Sequence, residues 1–123
     1  MAWTMQHVKY KPTNKGYEMN IEYKITFGTE IDHTGTRMIS NLNKLRDLSE
    51  LIAHDYGGYS LIKHEGGYIY KNKQLVTEKL LTYVIVGKAS DRDSIYELVD
   101  YIKYLYNQES VLLVETKINA IFI

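Results

Sequence analysis

The stretch from Ser90 to Glu115 constrains the chain most, because it joins a capped amphipathic helix to a strand with hardly a turn between them. Ser90-Asp91-Arg92-Asp93 resembles a capping box, with a hydroxyl to accept orphan amide bonds and a carboxylate three residues later. Ile95, Leu98, Val99, Ile102 and Leu105 then recur at helical spacing and give one apolar stripe. The helix is expected to end near Asn107-Gln108, after which Glu109-Ser110-Val111-Leu112-Leu113-Val114 reads as a strand. The segment is one β-α-β arm of a small layered protein.

The rest of the chain supplies the matching pieces. Residues 1–18 are polar, carry Pro12 and Trp3, and read as an arm outside the core, leaving 19–123 as a single domain. Ile21, Tyr23, Ile25 and Phe27 alternate with Glu22, Lys24 and Thr26, the period of two of a half-buried strand whose odd positions face the helices. Thr36, or failing it Ser40, is the expected N-cap of a first helix with Met38, Leu42, Leu45, Leu48, Leu51 and Ile52 on its apolar side. Gly57-Gly58 provides the left-handed stop. Tyr59 to His64 reads as a strand that breaks at Glu65-Gly66-Gly67. Tyr68 to Glu78 then reads as a hairpin turning at Asn72-Lys73, and Leu80 to Val86 as a central strand that is apolar on both faces. Ile118 to Ile123 forms an apolar, strand-like tail. The order is that of a ferredoxin-like split β-α-β fold: α+β, an antiparallel sheet with two helices on one face, and an extra hairpin. The uncovered sheet face, with Val84 and Val86 on it, predicts a homodimer or higher homo-oligomer.

Composition removes several function classes. Over 123 residues the formal net charge is zero, which argues against a surface that tracks long nucleic acid. There is no cysteine, and hence no disulfide framework, thiolate zinc site or cysteine nucleophile. No apolar run approaches the roughly 20 residues that span a bilayer, and Met1 to His7 lacks a signal-peptide core, so a soluble cytoplasmic protein is expected. Twelve tyrosines stand beside one Trp and two Phe, an excess that suits a binding surface and equally suits the codon bias of an AT-rich genome. His7, His33, His54 and His64 include no pair at i, i+4, so neither a metal nor another cofactor is expected. Gly66-Gly67 lacks the Lys-Ser or Lys-Thr of a phosphate loop and reads as a turn.

Several landmarks together resemble a family of small bacterial and phage α+β proteins, a domain of unknown function. They are Phe27-Gly28, Gly58-Tyr59-Ser60-Leu61, Gly66-Gly67-Tyr68, Glu78, and the run Asn107-Gln108-Glu109-Ser110-Val111-Leu112, which holds the C-terminal Gln-Glu-Ser-Val-Leu signature. The resemblance spans roughly residues 20 to 123. It departs from bacterial members in lacking a Pro-rich connection before the Gly-Tyr-Ser strand and an export signal, which implies a phage-borne, cytoplasmic member. It transfers a fold and no catalytic residues.

Candidate ligand-binding residues follow from chemistry and place. Gln108, Glu109 and Ser110 offer donors and acceptors at the helix–strand junction, Glu78 precedes a strand, and Tyr68 or Tyr70 can stack on a ring. Arg37 and Arg92 open the two helices, where backbone amides already favour anions. The ordinary reading of Gln108-Glu109-Ser110 is a turn that caps the helix end. The expected function is a non-enzymatic, phage-type protein that sequesters a small nucleotide-like ligand against host defence. The alternative is an interaction module that inhibits a host protein through its open sheet face or C-terminal strand. An enzyme with Glu78 or Glu109 as acid or base ranks third.

Overall fold

In the computed structural model residues 20–38, 41–121 and 123 are described; the N-terminal arm with Trp3, and with it the 1–18 boundary, lies outside them. The elements in order are β1 (Asn20–Gly28), α1 (Leu42–Tyr56), β2 (Ser60–Ile69), β3 (Leu75–Lys88), α2 (Arg92–Leu105) and β4 (Leu112–Ile118). The strands form one antiparallel sheet in the order β2-β3-β1-β4, the ferredoxin-like arrangement. No helix among the described residues is long and apolar enough to cross a membrane.

The period-two pattern of β1 does what it predicts. Ile21, Tyr23, Ile25 and Phe27 are buried and lie opposite Gly87, Ile85, Tyr83 and Leu81 of β3. Against them pack Leu48, Ile52 and Tyr56 of α1 and Ile95, Leu98 and Ile102 of α2. Tyr83 is buried with a partner for its hydroxyl, Ser49 Oγ at 2.5 Å, and burial pushes its pKa up to about 12. The even positions of β1, β3 and β4 face away from the helices. On that open face Val84 and Val86 of β3 and Leu112 and Val114 of β4, half-buried or exposed, flank Glu22, Lys24 and Thr26 of β1.

Three local expectations are corrected. The first helix is capped by Asn41 rather than Thr36 (Ser40 lies outside the described residues): Asn41 Oδ1 accepts the Lys44 amide at 3.1 Å, and Leu42 is the first helical residue. Thr36 is drawn elsewhere, because its amide and that of Thr34 both donate to Asp32 Oδ1 in the preceding loop. With the helix starting at Leu42, its buried stripe is Leu48, Ser49, Ile52 and Tyr56, while Leu51 turns outward. The second helix begins at Arg92 with Asp91, rather than Ser90, at its N-cap position, after a short 3-10 turn over Ala89–Asp91 in which Asp91 Oδ2 accepts the Lys88 amide at 2.8 Å. Finally, Gly66-Gly67 is not a turn. β2 runs straight through it, so the expected separate hairpin is the outer half of β2 and β3, reversing at Tyr70–Gln74 with Lys73 at positive φ. The physical reason is the Leu80 side chain, which would lie 2.4 Å from any Cβ at Gly66.

Ile52 is fully buried and Leu51 is 41% exposed. Ile52→Ala is therefore expected to cost about 2–5 kcal/mol and Leu51→Ala no more than about 0.5 kcal/mol, read as denaturant midpoints at constant m-value.

Candidate functional site

β1 ends at Gly28, opposite Leu80, whereas β3 continues past it towards Leu75 with only β2 beside it. At this end of the sheet a cavity of about 950 Å³ opens between the overhanging strands, the loop after β1 and the first turn of α1. Glu30, Glu65 and Glu78 with Arg37, Lys44, Lys63 and Lys79 give it its charged groups, His64 and Tyr106 are among its other polar groups, and Leu42, Leu45, Leu80 and Leu81 form its apolar wall.

Glu78 is the unusual member. It stands on the open face directly opposite Gly66, and its Oε2 is buried with no hydrogen-bond partner among the described residues. A Cβ on Gly28 would lie 2.7 Å from that oxygen, so the carboxylate occupies space that only glycine leaves. Burial, and then the negative charge of Glu30, push the Glu78 carboxyl above the usual glutamate range. A partnerless buried carboxyl oxygen costs stability, which makes Glu78 a candidate site residue. Beside it on the same face, Thr82 Oγ1 is hydrogen-bonded to Thr26 Oγ1 at 2.6 Å and to His64 Nε2 at 2.7 Å.

The loop after β1 is held rigidly. Asp32 Oδ1 accepts the Thr34 hydroxyl and the Thr34 and Thr36 amides, and those hydrogen bonds hold its carboxyl below the usual range. Ile31 and Arg37 pair as an antiparallel bridge, and the Met38 amide donates to the Glu30 carbonyl. The α2–β4 junction clasps this loop. Asn107, itself at φ 48°, accepts the His33 amide at 3.0 Å, and Gln108 Nε2 donates to the Ile31 carbonyl at 2.8 Å. Glu30 is fixed as a result: its Oε1 accepts the Lys79 amide at 2.7 Å, and its Oε2 lies 3.7 Å from Arg37 Nη1.

Of the residues singled out by sequence, Glu78 and Arg37 line the cavity and the others do not. Arg37 reaches it from the loop rather than from a helix start. Arg92 does open α2, but at the opposite end of the sheet, since Lys88 pairs with Asn20 and α1 begins beyond Gly28. Its guanidinium is also engaged by Glu115 at 2.6 and 3.1 Å. The two helix starts therefore do not share one end. Tyr68 and Tyr70 are exposed near the tip of the β2–β3 hairpin. Gln108 works as the clasp, while Glu109 and Ser110 are exposed. Glu30 and His64 were not singled out: a glutamate after a strand and an isolated histidine carry no sequence signal of a site. Among the described residues no group of three or more His, Asp or Glu is placed to hold a metal ion.

No protein-family model matches the chain, and no curated protein matches it by sequence. Solved structures share its fold. A phage SAM lyase in complex with S-methyl-5'-thioadenosine superposes with a TM-score of 0.63 at 17% identity, over 87% of this chain and 88% of the lyase. CutA from Pyrococcus horikoshii superposes with a TM-score of 0.56 at 10% identity, over 83% of this chain and 87% of that one. The divalent ion tolerance protein CutA1 from Ehrlichia chaffeensis gives 0.56 at 7% identity, over 85% and 87%. At these identities the likeness establishes the ferredoxin-like architecture. It also corrects the expectation of a non-enzymatic protein, because a chain of the same architecture and nearly the same extent is an enzyme, a lyase.

The folded chain keeps Glu78 protonated to higher pH than the unfolded chain does, so the wild type loses stability as pH rises from the unfolded value through the folded one. Glu78→Gln, which has no charge to bury, is expected to unfold at a higher denaturant concentration than the wild type at pH 7. The difference should vanish below the ordinary glutamate value of about 4.3. Parallel unfolding series from pH 3 to 8 test this, and a Glu78→Gln chain less stable than wild type at pH 7 contradicts it.

Proposed function

We propose that the chain is an enzyme that binds a small nucleoside carrying a sulfonium centre, of the S-adenosylmethionine class, and breaks a carbon–sulfur bond in it. The observation that carries this reading is the buried, partnerless Oε2 of Glu78 beside a cavity large enough for such a molecule. A carboxylate with that oxygen unsatisfied draws in a compact cation. Glu30 close by adds a second negative charge on that side of the cavity, which suits a cationic centre there. The nucleotide-like ligand expected from sequence is thus narrowed to a nucleoside-like cation, and a fold neighbour is a lyase with a bound thioether nucleoside.

The chemistry needs no added reactant. When the bond between sulfur and the amino-acid side arm breaks, its electron pair goes to sulfur, which becomes a neutral thioether. The amino-acid fragment makes up its lost bond internally, by closure of its own carboxylate oxygen on that carbon to give a neutral ring ester. Charge disappears at sulfur as the bond breaks, so the apolar wall of Leu45, Leu80 and Leu81 favours products over the charged reactant. Glu78 serves to hold the cation, and Gly28 gives its carboxylate room. The counter-defence role expected from the sequence carries over as removal of the ligand rather than its sequestration. Self-association through the open sheet face, where Val84, Val86 and Val114 flank the Glu22 and Lys24 side chains of β1, is part of the same proposal.

Incubation of the purified chain with S-adenosylmethionine, followed by mass spectrometry, is expected to show accumulation of S-methyl-5'-thioadenosine. Glu78→Ala should lower kcat/KM by roughly 100-fold, the scale of losing one partner of a desolvated charge pair. Gly28→Ala should lower it too while leaving the fold intact, because the flexible end of Glu78 is what the new methyl displaces. Substrate recovered unchanged from the wild-type incubation overturns the reading.

A further inference from the structure

The cavity holds a charge pattern that the sulfonium alone does not use. Arg37 and Glu30 line it together with Glu78, and both reach it from a loop that is clasped at its base. Glu30 is fixed through Oε1 by the Lys79 amide, which leaves Oε2 facing Arg37. The Arg37–Glu30 separation of 3.7 Å is too long for a hydrogen bond, and the Arg37 side chain is 74% exposed. The guanidinium therefore retains donors for a planar anion, on a backbone fixed by the Ile31–Arg37 bridge and the Thr36–Asp32 hydrogen bond.

Resting on the sulfonium reading above, we propose that Arg37 and Glu30 are the specificity-determining pair that reads the α-amino-acid end of the substrate. Arg37 takes its carboxylate and Glu30 Oε2 its ammonium group. Of the charged groups lining the cavity, which also include Lys44, Lys63, Glu65 and Lys79, Glu78, Glu30 and Arg37 supply the two negative groups and one positive group that match the ligand's sulfonium, ammonium and carboxylate. The Arg37–Glu30 contact is loose enough to be exchanged for the ligand's own charges, with little lost by either side chain. A ligand without the amino-acid arm has nothing to offer this pair.

The test compares S-adenosylmethionine cleavage with inhibition by S-methyl-5'-thioadenosine, which lacks the arm. Arg37→Ala is expected to lower kcat/KM for cleavage by about 30-fold, within the range for loss of one charge-assisted, bidentate contact. The inhibition constant of S-methyl-5'-thioadenosine should stay within about twofold of wild type, a result that general damage to the site would not give. Arg37→Lys should recover part of the loss. Glu30→Gln keeps the acceptor for the Lys79 amide and should lower kcat/KM with the same indifference to the thioether. Unchanged cleavage by Arg37→Ala, or thioether inhibition weakened in parallel with cleavage, overturns the pair's role while the lyase reading stands. Failure of the wild type itself to cleave S-adenosylmethionine removes both.

Discussion

Everything in this molecule depends on the register in which β1 lies against β3, with Phe27 opposite Leu81 and Gly28 opposite Leu80. That register turns Tyr23, Ile25, Phe27, Tyr83 and Ile85 towards the helices together, and a slip of one residue would expose all of them at once. It also settles the other face. Because β1 stops at a glycine just where β3 goes on, the Glu78 side chain finds room over the end of β1. The core and the cavity are two consequences of one pairing.

The cavity end and the opposite end of the sheet treat charge differently. Arg92 and Glu115 satisfy each other with two hydrogen bonds at the surface, an arrangement that fixes geometry and asks little of the surroundings. Glu78 has one oxygen buried without a partner and another carboxylate for a neighbour. The surrounding structure tolerates this because the strand pairing and the packed core on the other face are independent of it. A site of this kind is held against local cost by the stability of the rest.

Much of the fold was legible in the sequence because periodicity survives any tertiary context. The alternation from Ile21 to Phe27 and the helical stripe from Ile95 to Ile102 both match the buried residues. Where reading failed, a long-range contact outweighed a local signal. Gly66-Gly67 looks like a turn, yet it is a mid-strand gap shaped by a side chain on the neighbouring strand. Thr36 looks like a cap, but its amide serves Asp32 and the helix waits for Asn41. The site was legible only in pieces. Glu78 and Arg37 were named for their chemistry, but their companion Glu30 is set by a hydrogen bond to Lys79, 49 positions away, and no spacing in the chain announces that. The placement of Arg92 followed from strand direction, which puts the start of a second helix at the far end of the sheet.

The clasp at Asn107 and Gln108 has a consequence for the order in which the molecule can be made. The loop it holds precedes it by more than 70 residues, and β4, the second neighbour of β1, is later still. A ribosome adding about 5–20 residues per second leaves β1 with one unpaired edge for roughly 5 to 20 seconds after it emerges. During that interval the loop bearing Glu30 and Arg37 has its internal hydrogen bonds but lacks the contacts with Asn107 and Gln108. The cavity is thus completed only when synthesis has passed Gln108, and a nascent chain that stops before Ile118 still carries an exposed strand edge.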